Sequence, residues 1–208
     1  MKLTDAGGTI ERKLMDEGVH IARCYLVADL GTHETEWQGT KKDKHQMVIG
    51  WEVPSQRDTF EIDGESKEMP LVICQVFTAS LHENSKLRPF LETWRGKKFT
   101  AEERQGWDPK GLLGAACQLQ VIHAEGKNGK TYANVAAVMP LPKGMEAPEQ
   151  ETANQYFTLD NGFEFDNNIP KWIVEKVHAC KEWTEARDKA NPAGVEAPPE
   201  DNSDDLPF

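Results

Sequence analysis

The sequence predicts a mainly β fold: a small Greek-key barrel of five strands, with one helix between the third and the fourth, followed by a C-terminal helix and an acidic tail without order. Three observations predict it. Five apolar runs rich in strand formers are set apart by turn signals, one segment between the third and fourth runs has helical periodicity, and the composition changes after Pro142. Hydrophobic residues make up 38 % of the 208, with a mean hydropathy of -0.65, as for a compact part diluted by polar segments. Charge divides the chain at the same place. Residues 1–144 hold 19 Lys and Arg against 20 Asp and Glu, and residues 145–208 hold 5 against 15, so the net charge of -11 belongs to the C-terminal third. An acidic whole therefore does not exclude a nucleic-acid partner for the body.

The elements follow in order. "VHIARCYLVADLG" (19–31) reads as a first strand and the polar "GTHETEWQGTKKDKH" (31–45) as a long loop. "QMVIGWEV" (46–53) alternates and Pro54 closes it; "SQRDTFEIDGESKE" reads as a hairpin excursion leading to a third strand, "MPLVICQVFTAS" (69–80). In "SKLRPFLETWRG" (85–96), Leu87, Phe90, Leu91 and Trp94 fall at helical spacing, Ser85 can cap the start and Gly96 the end. Thr100 and Glu103 have capping-box spacing. "LLGAACQLQVIHAE" (112–125) and "TYANVAAVMPLP" (131–142) are two further strands joined by the hairpin signal "GKNGK". Beyond them "KGMEAPEQETANQ" reads as a linker, 169–187 as a helix with Ile173, Val177 and Cys180 on one stripe, and the rest as too polar to order itself. The division is a barrel over 1–144, a linker and helix over 145–187, and a tail over 188–208.

Strand, long loop, strand, strand, helix, strand, tight hairpin, strand is the order of the OB-fold, whose strand 2–3 face and loops 1–2 and 4–5 bind oligonucleotides and oligosaccharides. Loop 1–2 carries Trp37, Lys41, Lys42 and Lys44; loop 4–5 carries Lys127 and Lys130, with Tyr132 beside it and Trp51 on strand two. Aromatic side chains that stack on bases, set beside lysines that neutralise phosphates, are what single-stranded nucleic acid requires. Arg95, Lys97 and Lys98 form a second basic cluster at the end of the helix, where they also complement its dipole.

Other chemistry finds no support in the residues. Cys24, Cys74, Cys117 and Cys180 are far apart, with neither zinc-ligand nor disulfide-framework spacing. "GKNGKT" lacks the first glycine of a phosphate loop, since position 124 is Ala124, and a strand follows where a helix should. His123 and Glu125 match the start of a deaminase motif whose cysteine half is missing. Asp160, Glu164 and Asp166 fit no metal-ligand spacing. The expectation is a protein that is not an enzyme and needs no cofactor or metal. With no signal peptide and no long apolar run, a cytoplasmic location is expected.

The chain ends "DDLPF". Asp204, Asp205, Leu206, Pro207 and Phe208 resemble, position by position, the C-terminal tip of bacterial single-stranded DNA-binding proteins. The body looks closer to the divergent bacteriophage members of that class. The resemblance implies non-sequence-specific binding of single-stranded DNA during replication, recombination or repair, with the tip docking on proteins of those processes. It favours a monomer or dimer and no membrane association. A ring beside a free carboxylate suits an apolar pocket with a basic rim, and the aspartates steer its approach. The alternatives are a protein-interaction or recombination-adaptor module, and a metal-dependent nuclease.

Overall fold

The computed structural model describes residues 13–190 apart from 38, 63, 127 and 167, and only the backbone at 37 and 62. Lys127 and the tip, Asp204 to Phe208, lie outside the described residues. The elements are β1 (Gly18–Trp37), β2 (Thr40–Ile62), β3 (Glu65–Thr78), α1 (Leu87–Arg95), α2 (Glu103–Gly106), β4 (Ala116–Glu125), β5 (Thr131–Met139), β6 (Gln155–Phe157), α3 (Lys171–His178) and α4 (Lys181–Ala190). Five strands pair antiparallel in the order β3-β2-β1-β4-β5, and β6 adds to β1 in parallel. With α1 between β3 and β4, this is the strand order of the OB-fold. At the seam β3 lies against β5 without a hydrogen-bonded ladder among the described residues, so the barrel stays partly open.

Alternation along β2 builds two cores. Met47, Ile49, Trp51 and Val53 point into the barrel with Val27, Ile73, Phe77, Leu119 and Val121, and α1 plugs it with Leu87, Leu91 and Trp94. Ser85 Oγ accepts from Leu87 N at 3.1 Å to start α1, and Gly96 ends it with φ 65°. The capping box forms: Thr100 N donates to Glu103 Oε2 at 3.0 Å and Glu103 N to Thr100 Oγ1 at 3.2 Å. The opposite face of the sheet, with Leu26, Ala28, Leu30 and Val48, is buried beneath Ile173, Val177 and Cys180.

The structure departs from the sequence reading in five places. Residues 31–45 are not a loop: β1 and β2 run on together as a two-stranded arm that pairs as far as Trp37 with Thr40. Gly39 takes φ 75° in its turn, the left-handed value that short hairpins require. A second arm, pairing Arg57–Ile62 with Glu65–Pro70, is the expected hairpin excursion, but β2 does not close at Pro54: it runs on through it, with a shift of register between Val53 and Arg57. A sixth strand, β6, is added to the expected five. The expected single helix is two, broken at Ala179–Cys180, where α4 turns to meet β1 so closely that a Cβ at Gly31 would lie 2.6 Å from Cys180 Sγ.

The segment read as a linker is built into the fold. Glu52, fully buried, accepts hydrogen bonds from Glu151 N at 2.9 Å and Thr152 N at 2.6 Å. Arg23 donates to the carbonyls of Pro148 and Ala147 at 2.6 and 3.3 Å. These bonds tie 147–152 across the sheet and deliver β6 to the edge of β1.

Candidate nucleic-acid interface

The first arm sorts its charges. It holds Lys41, Lys42 and Lys44 against Glu34, Glu36 and Asp43, and is neutral as a whole. In the antiparallel register His33 faces Lys44, Glu34 faces Asp43, Thr35 faces Lys42, Glu36 faces Lys41 and Trp37 faces Thr40. Directly opposed residues share a face and successive ones alternate. One face therefore receives His33, Thr35, Lys42, Lys44 and the register position of Trp37, with no carboxylate. The other receives all three carboxylates and Lys41.

That second face is turned to partners within the chain. Lys41 Nζ meets Glu34 at 2.7 Å, and Lys181 of α4 meets Asp43 at 2.5 Å. At the root of the arm His45 Nε2 lies 2.8 Å from Asp29 Oδ1 and its Nδ1 3.5 Å from Glu182 Oε1. Glu182 accepts from the Thr32 hydroxyl at 2.6 Å and Thr32 N at 2.8 Å. The hydrogen bond to Asp29 raises the His45 pKa, against burial and with help from the nearby carboxylates. Burial of Glu182 would raise its pKa, but the hydrogen bonds it accepts hold it down to about 2. Lys42 and Lys44, by contrast, are exposed and have no salt-bridge partner among the described residues.

Trp51 is not a binding platform. It is wholly buried in the barrel between Phe90 and Trp94, each with ring centroids 5.8 Å away. Its place in the stripe Met47, Ile49, Trp51, Val53 puts it there. The middle of the sheet's outer face is closed to ligand as well, because Val48 and Cys74 lie under the C-terminal helices.

Loop 4–5 stands at the other end of the molecule. Gly18 at the start of β1 pairs with Val121, and β4 runs on past it, whereas the first arm lies at the far end of β1. Tyr132 is 44 % exposed, its hydroxyl accepting from Asn128 Nδ2 at 2.7 Å, and Lys130 is exposed beside it. The sequence-predicted residues thus fall into two groups: Lys42 and Lys44, with the position of Trp37, and Lys130 with Tyr132. The flank Arg95, Lys97 and Lys98 is partly spent inside the fold, since Arg95 bonds Glu103 and lies 4.2 Å over the Phe99 ring.

A groove that the sequence did not reveal opens at the root of the first arm. Its volume is about 590 Å³, and Lys44, Gln75, Val76, Thr78, His82 and Lys86 line it, with no carboxylate in its walls. The strand register creates it: Gln46 pairs with Thr78, and Ala79 N donates to His45 O at 2.8 Å, which carries residues 79–86 alongside Lys44. Asn84 N donates to His82 Nδ1 at 3.2 Å, leaving Nε2 to bear the proton of the neutral ring. Gln75 Oε1 is buried without a hydrogen-bond partner.

No group of three or more His, Cys, Asp or Glu among the described residues could hold a metal ion, and Asp160, Glu164 and Asp166 do not converge. All four cysteines are free. No described helix is long and apolar enough to cross a membrane. No protein-family model and no curated protein matches the chain, so what the site can do is read from its geometry.

Proposed function

We propose that the protein binds single-stranded DNA without sequence specificity and without catalysis, in replication, recombination or repair. The observation that carries this reading is the carboxylate-free face of the first arm, where Lys42, Lys44 and the position of Trp37 share one side of a hairpin on an OB-type barrel. Lysines without a carboxylate partner attract phosphates, and an aromatic side chain beside them stacks bases of any sequence. The resemblance of Asp204–Phe208 to bacterial single-stranded DNA-binding tips supports a second activity, recruitment of partner proteins.

Titrating the protein into labelled dT oligomers tests the reading by fluorescence anisotropy. Binding should weaken steeply with salt and persist in chelator. Absence of binding at low salt would leave the interaction-module alternative, and loss of oligomer with Mg²⁺ would leave the nuclease.

A further inference from the structure

The groove at the root of the first arm continues the basic face, because Lys44 belongs to both. Resting on the DNA-binding reading, we propose that the single strand turns from the arm into this groove instead of crossing the sheet to loop 4–5. There Lys44, Lys86 and His82 hold its backbone, and Gln75 accepts a hydrogen bond from the exocyclic amino group of a base. Three observations converge on this path. The groove offers two ammonium groups and an imidazole with a free Nε2, and no carboxylate to repel phosphate. Glu83, the one acid of the 79–86 segment, instead lines a neighbouring groove with Arg88 and Arg104. The direct route across the sheet runs over Val48 and Cys74, which the C-terminal helices cover.

Gln75 supplies the chemistry that separates bases. The side-chain oxygens of Gln46, Gln150 and Gln155 are also buried without a partner, but of these four glutamines only Gln75 lines this groove, where a ligand N–H can complete it. Cytosine, adenine and guanine carry an exocyclic amino group, whereas thymine has none. A non-specific binder built this way holds dC more tightly than dT. The two pyrimidines stack with similar strength, which isolates the hydrogen bond.

The test measures the full chain and its variants Gln75→Leu, Lys86→Ala and Lys130→Ala against dC and dT oligomers of equal length. Wild type should prefer dC by about five- to tenfold, in the range of one hydrogen bond to a neutral group. Gln75→Leu should bring dC down to the dT level while leaving dT affinity unchanged. It removes no intramolecular bond of Oε1, so the melting temperature verifies that the variant is folded. Lys86→Ala should reduce the slope of log K against log salt by about 0.7, and Lys130→Ala should leave it alone. Equal affinity for dC and dT in wild type, or a salt slope that follows Lys130 and not Lys86, overturns the path while leaving DNA binding intact. Failure of every oligomer to bind overturns the functional reading itself.

Discussion

The two hairpin arms that leave β2 at its opposite ends are built alike and charged differently. The first is neutral, yet its register puts every carboxylate on one side. The second holds Arg57 and Lys67 against five carboxylates, and acids fall on both faces: Asp58 and Glu65 on one, Glu61 and Glu68 on the other. What a surface offers a polyanion is set by strand register, and composition hides it. Both arms are braced by the C-terminal segment, the first through Lys181 and Glu182 and the second through Arg57 to Glu151 at 2.6 Å. Bracing therefore does not distinguish them; the sorting of charge does.

The sharpest contrast is between the aromatic residues of the arms. Trp37→Ala should weaken dT binding by about 1–3 kcal/mol with little change in melting temperature. Phe60→Ala, in the second arm, removes a ring packed against the barrel core, so it should lower the melting temperature and leave DNA affinity alone. A melting-temperature loss in the Trp37 variant matching that of the Phe60 variant would remove the distinction between the arms.

Register can be tested at constant composition. Exchanging neighbours in the double variant Thr35→Glu with Glu36→Thr moves one carboxylate onto the basic face while the net charge stays the same. Affinity at low salt should fall on the order of tenfold and recover towards wild type as salt rises. An unchanged affinity would mean that only the arm's total charge matters.

Smaller effects grade the lysines. Lys42→Ala with Lys44→Ala should lower the salt slope by up to about 1.4, at about 0.7 per phosphate contact on single strands. Lys67→Ala in the second arm and Lys41→Ala, whose ammonium is already paired with Glu34, should leave that slope within error.

The smallest effect is at the root of the first arm. Because the folded state raises the His45 pKa above its ordinary 6.5, this imidazole stabilises the fold fully below that value and progressively less as pH rises through the raised one. The melting-temperature advantage of wild type over His45→Gln should be no more than about 2 °C near pH 6, since the group is well solvated, and should vanish near pH 9.

The arms also show what was legible in the sequence. The second carries an Asp-Gly dipeptide in its sequence, a strong hairpin signal, and was readable as a hairpin. The first closes beyond the pair of Trp37 with Thr40, where the sequence offers only the weaker signal of a Gln-Gly dipeptide, and its strands alternate one polar residue with another, so no hydrophobic period betrays them. The barrel order and α1 were readable because their apolar periods are strong. Trp51 was misplaced although its own stripe, Met47 to Val53, marks it as interior. The 147–152 strap could not be read, since its backbone groups meet the side chains of Glu52 and Arg23, about a hundred residues or more earlier. The groove escaped for the same reason: Lys44, Gln75 and Lys86 become neighbours only through pairing and a turn.

Glu52 gives the protein an order of assembly. The two hairpins are local in sequence and can form as soon as they leave the ribosome, at about 5–20 residues per second. The N–H groups that receive the Glu52 carboxylate are those of Glu151 and Thr152, and the helices that cover its side of the sheet come later still. Until then the carboxylate needs water, because burying it without a partner is costly. The sheet must therefore keep its outer face wet through most of synthesis, and a nascent chain stalled near residue 144 should expose Leu26, Ala28 and Val48 to proteases and chaperones. One buried acid thus makes closure of the body wait for the segment that carries the acidic tail.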